Sequence, residues 1–214
     1  MLFRCCRWCY SLLFLLALPI CYGRLWLRSR RDSGYRERMG QRLALGLPRL
    51  STPSVWLHAV SVGEVIASAP LVRALAAAHP EYRLVLTATT ATGSRELQRL
   101  HGGVHEHYYM PYDLTRVMKR FIRRLGVRAI VIMETEIWPN LVCAAHQLNV
   151  PLMLANGRLS PRSFRSYQRL KPVMAPLLAR YQRVMVRDET DAVHFSALGV
   201  DAARLLVAGN VKYD

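Results

Sequence analysis

"VWLHAVSVGEVIASAPLVRALAAAH", residues 55–79, changes its hydrophobic period partway along. Residues 55–60 are a short, nearly unbroken apolar run, the mark of a strand buried on both faces. Ser61, Val62 and Gly63 interrupt it, and the residues from Glu64 to His79 then read as a helix that Pro80 stops. Strand, tight turn and helix form the first part of a βαβ unit. The alternation continues with "YRLVLTATT" (82–90), "HEHYYM" (105–110), "VRAIVIM" (127–133), "VPLMLAN" (150–156), "RVMVRD" (183–188) and "RLLVAG" (204–209) as strands. Helical stretches lie between them: "TGSRELQRLH" before Gly102-Gly103, "DLTRVMKRFIRRLG" closing at Gly126, "IWPNLVCAAHQLN", a segment opened by Ser160-Pro161 and broken at Pro172, and "ETDAVHFSALG". This predicts an α/β fold over residues 55–208, a Rossmann-like parallel sheet with helices on both faces. In such sheets ligands bind beyond the carboxyl ends of the strands.

A chain of 214 residues with 52% hydrophobic content can bury a full domain core. The formal net charge is +16, and Lys119, Lys171 and Lys212 are the only lysines among 30 basic residues. Arginine grips phosphate and carboxylate through a planar fork, so the composition favours an anionic partner: nucleic acid, lipid headgroups or a phosphorylated substrate. A GC-rich genome raises arginine as well. Cys5, Cys6, Cys9 and Cys21 crowd the amino terminus and Cys143 stands apart. Cys6-Arg-Trp-Cys9 has redox spacing but lies outside any βαβ unit, and no second pair completes a zinc site. His105 and His107 share a strand face without a third ligand, so no metal site is expected. P-loop, GxGxxG and GxSxG motifs do not occur, which removes support for nucleotide hydrolysis, dinucleotide redox and serine-hydrolase readings.

From Trp8 to Gly23 no residue is charged. Extended to Leu27, with Arg24 snorkelling, the stretch approaches the roughly 20 residues that span a bilayer. Residues 1–27 are therefore expected to be an uncleaved single-pass anchor. The arginines that follow it predict a cytoplasmic domain by the positive-inside bias. Residues 28–54 read as a basic juxtamembrane linker suited to anionic headgroups.

The carboxyl ends of the expected strands carry the unusual residues. Ser61 and Gly63 lead into Glu64 in the first turn of a helix, where a carboxylate stabilises the helix dipole by about 0.3–1 kcal/mol or serves chemistry. Thr92, Gly93 and Ser94 at the next helix start either cap it or offer N–H groups to an anion. Glu134 and Glu136 could do acid/base work, bind sugar hydroxyls, or cap the helix near Pro139. Arg158, Arg162, Arg165 and Arg169 recur at helical spacing, as a solvated face or as a track for phosphates.

Taken together, "WLHAVSVGE", "PLVRAL", "TATTATGS", "MPYDL", "IVIMETEIWPN", "PLMLANGRLSPRS" with Tyr167, and "GNVKYD" resemble the bacterial 3-deoxy-D-manno-octulosonic acid (Kdo) transferases, over nearly the whole chain. Ala91 stands where that family usually has proline, and Gly157 where it has alanine. The resemblance implies an inverting, metal-independent transferase of glycosyltransferase B fold that needs no cofactor. It moves Kdo from CMP-Kdo to a phosphorylated lipid A precursor at the inner membrane, in lipopolysaccharide synthesis. It implies Glu64 as general base, with support from Glu134 or Glu136. It also implies a truncated chain that carries the acceptor half and, at residues 209–214, the start of a missing donor-binding domain. The rival expectation is a membrane-tethered acceptor-binding module without turnover. Nucleic-acid binding is not expected, because no reading motif accompanies the charge.

Overall fold

The computed structural model describes residues 2–211. Of the segment 209–214, expected to open a second domain, residues 212–214 lie outside the described residues. The first helix, α1, runs Leu2–Ser29. Strand and helix then alternate: β1 Ser54–His58, α2 Val62–Ala78, β2 Arg83–Ala88, α3 Ala91–His101, β3 Glu106–Tyr109, α4 Thr115–Arg124, β4 Val127–Met133, α5 Pro139–Gln147, β5 Leu152–Gly157, α6 Pro161–Arg169, α7 Lys171–Leu178, β6 Arg183–Val186, α8 Glu189–Ala197 and β7 Leu205–Val207.

The strands form one seven-stranded sheet in the order β3-β2-β1-β4-β5-β6-β7, and every pairing is parallel. The central strands alternate their side chains between two cores. Trp56, Ile130, Ile132, Leu154 and Val184 face one core with Phe121 of α4, Leu141 of α5, Leu177 of α7 and Phe195 of α8. Val55, Leu57, Leu84, Leu86 and Val131 face the other, with Val65 and Val72 of α2 and Leu97 of α3. Burial on both sides is why the strands read as unbroken apolar runs.

Two glycines serve this packing. Gly126 ends α4 with φ +59, the left-handed turn into β4. Gly93 brings the first turn of α3 against the strand ends, since a Cβ there would lie 3.2 Å from the Ala88 Cβ and 3.4 Å from the Val60 carbonyl oxygen.

The basic linker expected at residues 28–54 is instead part of the domain. Two 3-10 turns, Ser33–Tyr35 and Met39–Leu43, lie along β3, which is an edge strand. They occupy its open hydrogen-bonding side: the Tyr109 N–H donates to Gln41 at 3.1 Å and Arg38 donates to the His107 carbonyl at 3.3 Å. Covering an edge in this way removes a site for unwanted strand pairing. Arg42, expected to face headgroups, is 3% exposed; it donates to the Thr89 carbonyl at 2.9 Å and lies 4.3 Å over the Tyr109 ring. That carbonyl and the aromatic face compensate its burial.

Phe121 is fully buried between Trp56, at a centroid distance of 4.5 Å, and Tyr108, at 6.2 Å. Phe121→Ala should destabilise the domain by about 3–5 kcal/mol, read as a lowered denaturant midpoint with an unchanged slope.

Candidate active site at the β1–β4 crevice

The strand order reverses between β1 and β4, because the chain builds outward from β1 to β3 and then returns to start β4 on the other side of β1. At such a point the loops after the two central strands diverge and leave a crevice at their carboxyl ends. Glu64 follows β1 and Glu134 and Glu136 follow β4, so the topology brings the three sequence-predicted acids to one crevice.

Glu64 occupies the third position of α2, and Ser61 is the cap. Its carboxylate turns back on the turn that precedes it: Oε2 accepts from the Val60 N–H at 2.8 Å and Oε1 accepts from the Ser61 hydroxyl at 2.9 Å. The Ser61 hydroxyl in turn accepts from the Glu64 N–H at 3.4 Å, so cap and carboxylate hold each other as in a capping box, with the Val60 N–H as an added donor. Each carboxylate oxygen spends one lone pair on it and keeps another. Among the described residues Glu64 makes no ion pair. Burial raises its pKa, the Val60 and Ser61 hydrogen bonds pull it down less strongly, and the Glu134 charge adds to the rise. Desolvation of a side chain in a residue only 9% exposed outweighs those hydrogen bonds.

Gly63 is exposed, its φ is not left-handed, and a Cβ would find nothing nearer than the Ser61 hydroxyl at 3.9 Å. The backbone of this turn does not require glycine, contrary to the reading of a tight bend. What the glycine provides is bare backbone on the outer surface of the turn beside Glu64.

Glu136 is half-buried, and its pKa is pushed up to about 7, first by desolvation and then by the charges of Glu64 and Glu134. Glu134 holds a left-handed backbone, φ 54, and donates its N–H to the Ala155 carbonyl at 2.8 Å. Between the two acids, Thr135 ties this loop to the one after β5: its hydroxyl accepts from the Arg158 N–H at 2.9 Å and donates to the Arg158 carbonyl. Tyr167 of α6 feels the Glu136 charge, so α6 lies near the acids.

Of the other expected residues, Gly93 packs against the Val60 carbonyl and the Arg158 backbone is tied to Thr135 between the acids. Thr90, not Thr92, caps α3: the Gly93 N–H donates to the Thr90 hydroxyl at 3.0 Å and the Ser94 N–H to the Thr90 carbonyl at 2.9 Å. Gly93 and Ser94 thus have no N–H left for an anion, and the buried Ser94 hydroxyl accepts from Arg38 at 2.7 Å. Thr92 is exposed. Arg158, Arg162 and Arg165 are also exposed and form no ion pair among the described residues. No arginine is among the charges that shift Glu64 or Glu136. Among the described residues no group of three His, Cys, Asp or Glu is arranged to hold a metal ion.

Two polar groups escaped the sequence reading. Asp113 is fully buried and caps α5, accepting from the Asn140 N–H at 3.0 Å and the Leu141 N–H at 2.8 Å; burial pushes its pKa up to about 6. His58, at the end of β1, is fully buried on the Thr87 hydroxyl at 2.9 Å, and burial pushes it down to about 4. A lone acid in "MPYD" and a histidine inside an apolar strand were the available signals.

Glu136 gives a pH signature. A carboxyl whose folded pKa is raised to about 7 binds its proton more tightly in the folded state than in the unfolded one. Stability contributed by that group is therefore complete at acid pH and falls as pH rises from about 4.5 to 7. Glu136→Gln removes the fall, so the variant should gain stability relative to the parent at pH 8 compared with pH 4, in paired denaturation curves.

Comparison with known proteins agrees with this architecture. Residues 34–214 match the family model described as 3-Deoxy-D-manno-octulosonic-acid transferase (kdotransferase). The chain is 34% identical over 210 residues to the 3-deoxy-D-manno-octulosonic acid transferase of Haemophilus influenzae, covering 97% of this chain and 49% of that protein. It is 35% identical over 218 residues to the one from Bordetella pertussis, covering 97% and 50%. The chain thus spans about half the length of these curated relatives. Among solved structures, the UDP-GlcNAc 2-epimerase of Neisseria meningitidis superposes with a TM-score of 0.54 at 13% identity, over 74% of this chain and 47% of that one, a likeness of fold alone. The sheet is that of the amino-terminal domain of a glycosyltransferase B fold, and the chain belongs to the 3-deoxy-D-manno-octulosonic acid transferase family.

Proposed function

We propose that this chain contributes the acceptor side of an inverting transfer of Kdo from CMP-Kdo to a phosphorylated lipid A precursor. The observation that carries the proposal is Glu64 at the reversal point of the sheet, with open lone pairs, no ion-pair partner among the described residues and bare glycine backbone beside it. In the proposed reaction an acceptor hydroxyl oxygen attacks the anomeric carbon of Kdo. Its proton passes to Glu64, the new C–O bond forms, the bond from that carbon to the CMP phosphate oxygen breaks, and CMP leaves with the electron pair. No cofactor takes part.

The electrostatics suit a base. A general base works best when its pKa approaches the operating pH, and burial moves Glu64 upward from the ordinary carboxylate value. Glu136, near 7, stays partly protonated at neutral pH and can donate to an oxygen of a sugar or of the acceptor while Glu64 accepts. Separation of two neighbouring carboxyls into acid and base roles follows from their different surroundings. Arg158, Arg162 and Arg165, exposed and without ion-pair partners among the described residues, are suited to phosphates of the acceptor at the border of the crevice.

The chain spans about half of its curated relatives, and this favours one second reading, an acceptor-binding module without turnover of its own. Transfer from CMP-Kdo to a phosphorylated lipid A precursor should be assayed with the chain alone and with the carboxyl-terminal half of the Bordetella pertussis relative added. Product in the combined assay supports the transferase reading. Binding of the precursor with no product in either assay supports the module. Glu64→Gln keeps the size of the side chain and an acceptor for the Val60 N–H, with the Ser61 hydrogen bond reversed in direction, and should lower transfer about 10²–10⁴-fold with little change in stability. Undiminished transfer by that variant would exclude Glu64 as the base.

A further inference from the structure

We infer that α1 lies in the plane of the membrane, inserted side-on into one leaflet of an anionic phospholipid bilayer, and does not cross it. The inference rests on how α1 is docked and not on the transferase reading.

The contacts of α1 with the domain run from one end of the helix to the other. Near its start, Arg180 lies 4.8 Å over the Phe3 ring. One turn later Arg7 donates to the Thr115 hydroxyl and to the Asn140 side-chain oxygen, both at 3.0 Å. The Asn140 amide donates to the Ser11 hydroxyl at 2.9 Å. Phe14 and Tyr22 both meet the Tyr112 ring edge-on, at 5.8 and 5.6 Å. Finally Arg28 lies 5.8 Å over the Tyr35 ring. At about 1.5 Å per residue, Phe3 and Arg28 are separated by roughly 37 Å of helix, more than the ~30 Å hydrocarbon core of a bilayer. A helix that touches the same globular domain at both ends cannot place those ends on opposite sides of a membrane. Spanning would also strip Asn140, which is fully buried, of its Arg7 and Ser11 partners.

The opposite side of α1 carries the apolar surface. Trp8, Leu12, Leu16 and Ile20 recur every fourth residue and are 58–74% exposed, with Leu13, Leu15 and Leu27 beside them. The docked residues 3, 7, 11, 14 and 22 form a separate stripe on the other side of the helix. One stripe for the domain and one for lipid is the pattern of an interfacial helix.

Charge identifies the occupant. α1 packs against α5, and α4 is the neighbour of α5 in the same helical layer. Arg116, Arg120, Arg123 and Arg124 of α4 line a cavity of about 460 Å³ with Arg49, and no acid lines it. None of these five arginines is in an ion pair among the described residues. The apolar stripe of α1 and the basic cradle of α4, whose first residue Thr115 accepts from Arg7, together complement an anionic leaflet, acyl chains under the first and headgroups against the second.

Two measurements on the full chain decide the matter. The first uses inverted inner-membrane vesicles from an expressing bacterium, with an epitope added at each terminus and external protease. The proposal expects both epitopes to be digested together; protection of the amino-terminal epitope while the other is lost would establish a spanning helix and overturn it. The second is co-flotation with vesicles. Arg116→Gln, Arg120→Gln and Arg123→Gln combined should weaken binding to phosphatidylglycerol vesicles on the order of a hundredfold and leave binding to pure phosphatidylcholine unchanged. Leu16→Glu should weaken both, with the thermal unfolding midpoint unchanged. Equal binding by the arginine variant and the parent, or α1-dependent dimerisation with no vesicle binding, would overturn the assigned occupant.

Discussion

The arrangement depends on one constraint: seven parallel strands laid down with a single reversal of direction across the sheet. Parallel strands all end on the same rim, and each helix that follows begins there. The rim therefore collects strand carboxyl ends, helix amino termini and the turns between them. Reversal at β1 and β4 then parts two neighbouring turns, so the crevice between them needs no insertion to form. Acids placed after those two strands must face a common space, although Glu64 and Glu136 are far apart in the chain.

That common space explains their titration. Three carboxyl groups share a partly dry crevice with no arginine among the charges that act on Glu64 or Glu136. The Glu134 charge raises the cost of ionising Glu64, and the charges of Glu64 and Glu134 raise that of ionising Glu136. Glu64 offsets part of its cost through the Val60 and Ser61 hydrogen bonds, while none of the causes acting on Glu136 lowers its pKa. Capping and catalysis are usually weighed as alternatives for a glutamate in a first helical turn. Here the cap is what positions the carboxylate, and the lone pairs it leaves unused remain available for a proton.

Fold class was legible because burial on both faces of a parallel sheet writes itself as unbroken apolar runs, and residues 129–133 and 152–155 show this directly. The acids were legible for the same reason, each being a charge at the end of such a run. Local spacing could not assign the α3 cap, since Thr89, Thr90 and Thr92 are chemically alike and only the backbone shows that Thr90 takes the Gly93 N–H. Nor could composition show that Arg42 is buried, because its partners, Thr89 and Tyr109, come from distant strands. Apolar length alone could not reveal the polar stripe of α1. Arg7 and Ser11 matter only once Asn140 faces them.

Asn140 joins these threads. Asp113 holds its backbone N–H, the residues of α1 hold its side chain, and Glu136 lies just before it in the chain. On the other side the Glu134–Glu136 loop is clamped by Thr135 to the Arg158 backbone. The acid loop is therefore fixed between the α1 docking site and the loop that carries the exposed arginines. If α1 rests in a leaflet, the crevice stands at a set height above it, within one short segment of rigid chain. A lipid-borne acceptor would then reach Glu64 by lateral diffusion in the membrane plane, without its acyl chains leaving the bilayer. The polar contacts of α1 are as much a part of the site's geometry as the acids themselves.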